Sequence, residues 1–380
     1  MNSFTLSHIP EILFGAGRLA DVAAKAKALG GSGATVLMVA DPALKALGIT
    51  GLALDILGKA GFETVVYDGL NGEPRQADID TAADMARASG AKVIVGLGGG
   101  SALDTAKLVA ACAVSGFKAA AYALCATPLP KKRLPIIAIP TTAGTGSEVT
   151  RVSVYADDNK VKVWAWGEEL KPDVAILDPE LTVGVPPHIT AATGLDALVH
   201  AIEASTNKHR HDGNDLYCHQ AIRLISANLE KAVKRPDDIE ARGAMLLGSC
   251  YGGIGIDNCG TALAHNISHA VADLAPIPHG RATGLAMLAT MDWVAEGNRA
   301  AFARVAEAMG AGDAVKAYER LVRATGIKVS LEGDGLDLGN PALLAAHMAS
   351  PANNPMRKST TRYPNDKELV MLAERFLTLA

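Results

Sequence analysis

Short apolar runs rich in β-branched residues alternate with helix-like patterns through the first half of the chain. The apolar runs predict buried strands at 34–40, 64–69, 92–98 and 134–140. Apolar residues at helical spacing predict helices between them, at 52–61, 77–90 and 101–114. Because strands that alternate with helices pair in parallel, this half is predicted to form an α/β domain with a parallel sheet and helices on its faces.

The pattern changes near Gly184, just before the Pro186-Pro187 pair. The remainder has few β-branched runs and reads as long helical segments, such as 239–253 and 301–310. A chain of 380 residues also exceeds what one hydrophobic core usually supports. The sequence therefore predicts an α/β domain at 1–184 and an all-helical domain at 185–380.

Composition and charge exclude several classes of protein. A net charge of −4 with scattered basic residues gives no sign of a nucleic-acid partner. The N-terminus lacks a secretory pattern, and no apolar stretch reaches the length of a membrane span, so we expect a cytoplasmic protein without a membrane partner. The five cysteines show no CxxC spacing and are expected to be buried free thiols.

A group of possible metal ligands lies in the helical half. Eight of the ten histidines fall between 188 and 279. Asp196 and His200 are four residues apart, as are His265 and His269, so each pair projects from one face of a helix, and His279 follows a proline-containing turn. One carboxylate and three imidazoles, from 196, 200, 265 and 279, suit Fe(II) or Zn(II). Spacing alone leaves open that these are partly buried polar residues that bind no metal.

Two glycine-rich turns follow neighbouring strands in the first half. Gly98, Gly99 and Gly100 precede Ser101, and the segment 140–149 supplies hydroxyl groups, which belong to Thr141, Thr142, Thr145 and Ser147. Ligands of open α/β sheets bind at the carboxyl ends of strands, so the two turns predict a nucleotide pyrophosphate site. Neither turn is a GxGxxG or GxxxxGK[ST] motif. The alternative interpretation, that residues 98–100 form only a tight turn, stays open.

Asp41 ends the first central strand. Its carboxylate could accept a hydrogen bond from a ribose 2′-hydroxyl and would repel a 2′-phosphate, which favours NAD over NADP. A turn residue before Pro42 is the alternative interpretation.

Several motifs in one order resemble the iron-dependent (group III) alcohol dehydrogenase family over essentially the full length. They are GGGS with Asp104 and Lys107 (98–107), PTTAGTGSE (140–148), DPELT (178–182), TGLDALVH (193–200), HNISH (265–269), PHG (278–280) and NPMR (354–357). The resemblance implies the fold that this family shares with dehydroquinate synthase, in which a Rossmann-like α/β domain precedes an all-α domain.

The resemblance also implies roles for individual residues. One Fe(II), or in some members Zn(II), would be held by Asp196, His200, His265 and His279, while His269 would transfer a proton or orient the substrate. The implied cofactor-binding residues are Asp41, Gly98, Gly99, Gly100, Ser101, Asp104, Thr141, Thr142, Thr145, Ser147, Lys162 and Leu181.

The activity implied is hydride transfer between C4 of NAD and a small metal-coordinated alcohol or aldehyde, in a homodimer or larger homo-oligomer. Departures from the family pattern, at Ile256, Asp257 and Glu73, leave the substrate open. The alternatives are a glycerol dehydrogenase-like zinc enzyme, a non-catalytic binding protein, and a dehydroquinate synthase-like lyase that uses NAD transiently. The lyase would need a basic cluster, for which Arg210 and Arg281 are candidates.

Overall fold

The structure, a computed structural model, describes residues 3–380, so the first two residues of the predicted domain 1–184 lie outside it. These residues form two compact units. One contains 8–142 and 146–184, and the other contains 3–7, 143–145 and 185–380. Each unit has its own buried core.

A parallel sheet with the strand order β1-β8-β5-β4-β2-β3 organises the first unit. Its strands are β1 Glu11–Phe14, β2 Thr35–Ala40, β3 Glu63–Tyr67, β4 Val93–Gly98, β5 Ile136–Pro140 and β8 Val174–Leu177, and an antiparallel hairpin is formed by β6 Val152–Ala156 and β7 Lys162–Trp166. Strands β4, β5 and β8 are buried along their whole length, as expected where helices cover both faces of a sheet.

Five helices accompany the sheet in the described part of this unit: α1 Val22–Gly30, α2 Ala43–Ala46, α3 Ile49–Lys59, α4 Gln76–Ser89 and α5 Gly100–Ser115. The predicted helices at 52–61, 77–90 and 101–114 correspond to α3, α4 and α5. The predicted α/β class with a parallel sheet is confirmed.

The second unit is helical throughout residues 185–380. Its helices are α6 Pro187–Thr206, α7 Asp212–Lys234, α8 Ile239–Cys259, α9 Leu263–Ala272, α10 His279–Gly297, α11 Arg299–Ala308, α12 Ala314–Thr325, α13 Pro341–Met348, α14 Asn354–Ser359 and α15 Asp366–Leu377. Helix α6 begins with a proline, which suits a first helical position, and is buried on all sides from Thr190 onward, with Thr193 half-buried. This helix forms the centre of the helical core.

Within residues 3–380, no single helix is long and apolar enough to cross a membrane. Helix α5 taken together with the 3-10 segment Ala119–Cys125 meets the criteria of length and composition, although the two are bent by 117°. Most residues of α5 are buried in the core of the first unit.

The expectation of buried thiols is correct for Cys112, Cys218, Cys250 and Cys259 and wrong for Cys125, which is exposed. Cys125 lies in a tight turn with a left-handed backbone (φ 59°), and this turn carries its side chain to the surface.

Candidate metal centre and nucleotide loops

Asp196 lies at the centre of three imidazole rings. Its Oδ1 atom is 3.6 Å from Nε2 of His265, 3.8 Å from Nε2 of His279 and 3.9 Å from Nε2 of His200. These distances are too long for hydrogen bonds. Ligand atoms that share one metal at about 2.1 Å are themselves about 3.4 Å apart in a tetrahedral site. The ligand atoms of Asp196, His265 and His279 all lie within 4.8 Å of one another and fit a common cation, and His200 approaches this group through Asp196.

Two of these ligand atoms are buried without a partner. In the described part of the chain, Asp196 Oδ1 and His265 Nε2 make no hydrogen bond, although both side chains are only 3% exposed. Buried polar atoms are normally satisfied, because leaving one unpaired costs stability. A divalent cation would satisfy both atoms, and the 31% exposure of His279 leaves one side of the group open to small molecules.

Close helix packing brings His279 to Asp196. His279 is the first residue of α10, and Gly280 lies against α6 so closely that a Cβ atom there would be 2.5 Å from the Ala192 carbonyl oxygen. One turn later, a Cβ atom at Gly284 would be 3.0 Å from Cβ of Leu195. Because neither residue has a side chain, α10 can approach α6 at the level of the carboxylate.

The charges of the site favour an ionised carboxylate. Burial alone would raise the pKa of Asp196, but the neighbouring His200, His279 and His265 hold it well below its usual range. Burial lowers the pKa of His200. Burial also opposes protonation of His265, yet Glu203 and Asp196 raise the pKa of this imidazole to about 9. An ionised Asp196 is the state that binds a metal ion.

Hydrogen bonds orient the ligand rings from behind. Nδ1 of His279 is 2.9 Å from the hydroxyl of Ser268, which in turn accepts a hydrogen bond of 2.9 Å from Thr283. Nδ1 of His265 is 2.7 Å from Glu203. Sequence reasoning missed Glu203, although 196, 200 and 203 follow the i, i+4, i+7 spacing of one helix face.

His269 lies beside the predicted ligands. Its ring centroid is 5.5 Å from that of His279 and 6.5 Å from that of His265, and it is half-buried one turn further along α9. His211, another histidine of the cluster, has a structural role. It caps α7 by accepting a hydrogen bond from the Asn214 N–H and stacks on Phe4.

The two predicted nucleotide turns begin side by side in the first unit, although residues 143–145 of the second turn belong to the helical unit. Gly98 pairs in register with Pro140, and the N–H of Thr141 donates to the Gly98 carbonyl at 3.0 Å. Gly98 has a φ of 151°, and a Cβ atom there would lie 2.8 Å from Ala102 and 2.9 Å from Asp41. Gly99, Gly100 and Ser101 then open α5, so the N–H groups of its first turn form the kind of site that binds phosphate.

Asp104 and Ser147 hold this region together. Asp104 Oδ1 accepts hydrogen bonds from the Ser147 hydroxyl and from Lys107, while Oδ2 accepts one from the Val154 N–H at 2.9 Å. Lys107 is fully buried and also donates to the hydroxyl of Thr150 and the carbonyl of Val152. These contacts tie α5 to the segment that follows the second nucleotide turn.

The remaining predicted cofactor residues have various surroundings. Asp41 is half-buried and its Oδ1 accepts a hydrogen bond from the Ala43 N–H, so it does form the alternative turn. Lys162, the first residue of hairpin strand β7, forms an ion pair of 2.7 Å with Glu73. Leu181 is buried in the core, Thr142 lies next to Gly99, and Thr145 belongs to the helical unit.

The basic residues considered for a lyase are engaged in structural contacts. Arg281 donates to the carbonyls of Lys328 and Ser330 and pairs with Asp334 at 2.8 Å. Arg210 pairs with Asp212 and Asp215.

Comparisons with known proteins match most of the chain to one family. Residues 10–179 match the profile of iron-containing alcohol dehydrogenases, and residues 190–374 match the C-terminal profile of Fe-containing alcohol dehydrogenases. Long-chain-alcohol dehydrogenase 1 of Geobacillus thermodenitrificans is 36% identical over 87% of this chain and 85% of its own length. The NAD-dependent methanol dehydrogenase of Bacillus methanolicus is 33% identical over 88% of this chain and 86% of its own.

A solved structure shows the same fold. Sulfoacetaldehyde reductase from Bifidobacterium kashiwanohense, in complex with NAD+, superposes with a TM-score of 0.91 at 28% identity, and the match covers 100% of both chains.

Proposed function

Since this chain belongs to the iron-containing alcohol dehydrogenase family and is an oxidoreductase of that type, we propose that it transfers hydride between NAD and a small alcohol or aldehyde bound at a metal centre. The observation that carries the proposal is the group of three imidazole nitrogens within 3.9 Å of Asp196 Oδ1. The α/β domain 1–184 would bind the dinucleotide, and the helical domain 185–380 would bind metal and substrate.

Asp196, His200, His265 and His279 would hold the metal. A carboxylate with three imidazoles suits Fe(II) and also Zn(II). When bound, such an ion acts as a Lewis acid that lowers the pKa of an alcohol or polarises a carbonyl group. The open side at His279 gives a small substrate access to the site.

The chain's own groups supply orientation and proton transfer. The half-buried ring of His269, 5.5 Å from that of His279, would exchange a proton with the substrate oxygen or orient it. The N–H groups at the start of α5 would bind the pyrophosphate, with the hydroxyls of Thr141, Thr142, Thr145 and Ser147 around it. The carboxylate of Asp41 would favour NAD over NADP by repelling a 2′-phosphate.

The contacts of Arg210 and Arg281 argue against the lyase alternative, since both guanidinium groups are already engaged by carboxylate or carbonyl partners. A homodimer or larger homo-oligomer, a cytoplasmic location, and the lack of nucleic-acid and membrane partners stay predictions.

Anaerobic purification with metal analysis, followed by NAD(H)-linked assays on short alcohols, diols, glycerol and their aldehydes, tests the proposal. We expect one metal per chain and one NADH formed per alcohol oxidised. His265→Ala should lose both metal and activity. Metal binding without net consumption of NAD would contradict the dehydrogenase assignment and favour the lyase.

A further inference from the structure

Glu203 is a buried carboxylate directly behind the metal centre. It lies on α6, two turns after Asp196, and its side chain is 4% exposed. Oε2 is 2.7 Å from Nδ1 of His265 and accepts the Ala262 N–H at 2.7 Å, while Oε1 accepts the Ala264 N–H at 2.6 Å. Three donors therefore converge on one carboxylate.

We propose that Glu203 is a positioning residue, which fixes the ring nitrogen that His265 presents to the metal. This inference rests on the metal site of the proposed function. A carboxylate accepts hydrogen bonds, so Nδ1 of His265 must carry the proton. When a metal displaces the proton of Nε2, the lone pair of the neutral ring lies on that atom, which is buried 3.6 Å from Asp196 Oδ1. A histidine held in this way is pre-oriented and more basic as a ligand.

Glu203 also fixes the helix that carries His265. Helix α9 begins after Ala262, which provides no side-chain cap. Glu203 from α6 instead accepts the N–H of Ala262 itself and the N–H of Ala264 in the first turn. A carboxylate at a helix N-terminus is further stabilised by the helix dipole. Helix α6 thus supplies two ligands directly and sets both the ring and the helix of a third.

The other imidazoles lack this arrangement. Nδ1 of His279 faces the hydroxyl of Ser268, which can donate or accept and so does not dictate the position of the proton. The Gly144 carbonyl is near enough to His200 to raise its pKa, yet within residues 3–380 its Nδ1 makes no hydrogen bond of normal geometry. His265 is therefore the ligand whose ring nitrogen we expect to depend on one side chain.

Glutamine cannot replace Glu203, because it offers one oxygen to three donors. If its NH2 group faces His265 and Ala262, this group meets two other donors. The clash with His265 is relieved only when the ring moves its proton from Nδ1 to Nε2, where the proton blocks metal binding. If the NH2 group faces Ala264, the start of α9 loses its acceptor. Aspartate keeps the charge and both acceptor oxygens on a shorter side chain.

The test measures Zn(II) affinity of the full-length, metal-free enzyme by competition with a chromophoric chelator. We expect Glu203→Gln to weaken Zn(II) binding by about 10- to 100-fold, and Glu203→Asp to recover part of that loss. Leu372→Ala is the matched control, because Leu372 is a fully buried core residue of α15 and the change destabilises the same unit. It should leave Zn(II) affinity within about threefold of the parent.

A second readout follows the proton itself. In the Co(II)-loaded enzyme, the Nδ1–H of His265 should give a hyperfine-shifted proton signal that exchanges slowly with solvent, and Glu203→Gln should abolish or broaden it. A merely structural role of Glu203 would leave this signal in place in any variant that still folds.

The outcomes separate this inference from the proposed function. If Glu203→Gln binds Zn(II) within twofold of the parent while Asp196→Asn does not bind, the positioning role is overturned and the metal site stands. An equal loss of Zn(II) affinity in Leu372→Ala would show that lower stability explains the effect of Glu203→Gln. This outcome would also overturn the positioning role of Glu203. If the parent binds neither Zn(II) nor Fe(II), both proposals fall.

Discussion

Gly280 is the residue whose lack of a side chain matters most for the metal centre. In Gly280→Ala, the added Cβ would lie 2.5 Å from the Ala192 carbonyl oxygen, so α10 has to move away from α6 and carry His279 with it. We expect Zn(II) affinity to fall by at least about tenfold, since loss of optimal ligand geometry costs on the order of 1.4 kcal/mol or more. Chelator competition measures the change.

Gly51→Ala provides the control for that substitution. Gly51 lies in α3, and a Cβ atom there would meet nothing within 4 Å. The exchange should leave metal affinity unchanged and stabilise the fold by roughly 0.4–1 kcal/mol. Equal Zn(II) affinities for Gly280→Ala and Gly51→Ala would contradict the packing argument.

Glu148 predicts a pH dependence of stability. Burial raises the pKa of this carboxyl from 4.5 to about 7, against the opposing effects of its backbone N–H and of Lys107. The unfolded chain loses this proton near pH 4.5 and the folded chain near pH 7, so the contribution of Glu148 to stability is present below pH 4.5 and is lost as the pH rises to 7.

Glu148→Gln removes that titration. The interval from 4.5 to about 7 corresponds to roughly 3 kcal/mol, so the variant should gain up to this amount over the parent above pH 7 and little below pH 4.5. Urea unfolding at several pH values measures the difference. A difference that stays constant between pH 4.5 and 8 would refute the assigned ionisation.

The sequence was enough to predict some residues of the candidate site and not others. Asp196 and His200 were predictable because helical geometry places residues four apart on one face, whatever the rest of the fold does. Ser268 was not, because its role depends on the ring of His279 arriving from another helix. Asp41 was open between two interpretations, and the structure shows the turn hydrogen bond while the ribose contact stays a prediction.

At the scale of elements, segments with a clear apolar pattern were predictable, and some short ones without it were missed. The predicted strand 92–98 and helix 101–114 agree with β4 and α5 within a residue or two. Strand β1 was missed because it has four residues and a single buried side chain, which leaves no period to detect. Hairpin strand β7 does alternate between buried and less buried positions. It was missed because its charged and aromatic residues do not form a simple alternation of apolar and polar residues.

The link between α5 and the segment after the second nucleotide turn predicts a defect in cofactor binding. Asp104→Ala removes the acceptor for Ser147, Lys107 and the Val154 N–H, and leaves the buried Lys107 without its anion. Breaking buried, charged hydrogen bonds typically costs about 1.5–3 kcal/mol each. We expect a lower melting temperature and an NADH dissociation constant raised by roughly tenfold, measured by fluorescence titration.

Asp84→Ala is the comparison, since the Asp84 side chain is 70% exposed in a surface ion pair with Arg87. It should change stability by no more than about 0.5 kcal/mol and leave NADH binding unaltered. A similar loss in both variants would show that the link from α5 does not support the nucleotide turns.

At the scale of the whole molecule, the alternation of elements was enough to predict a parallel sheet followed by a helical half. The strand order was not predictable, because it depends on contacts between distant segments such as β1 and β8. Residues 143–145 illustrate the same limit. They lie inside a turn assigned to the first half, yet Gly144 packs in the helical unit, where a Cβ atom would be 2.7 Å from Cβ of Thr193.

Removal of the metal should destabilise the helical unit, because its proposed ligands come from α6, α9 and α10. An ion that binds only the folded state stabilises it by about 4 kcal/mol at a concentration 1,000 times its dissociation constant. We expect the melting temperature, followed by circular dichroism, to rise on addition of Zn(II) to the metal-free enzyme and not in His265→Ala. Identical melting curves with and without Zn(II) would argue against the site.

The proposed ligands are spread along the chain from residue 196 to residue 279, so a bound ion would cross-link three helices as well as serve the proposed reaction. A cell that runs short of the metal would then contain metal-free chains of lower stability. Cellular quality control degrades less stable chains first. The amount of enzyme, and not only its activity, would follow the supply of metal.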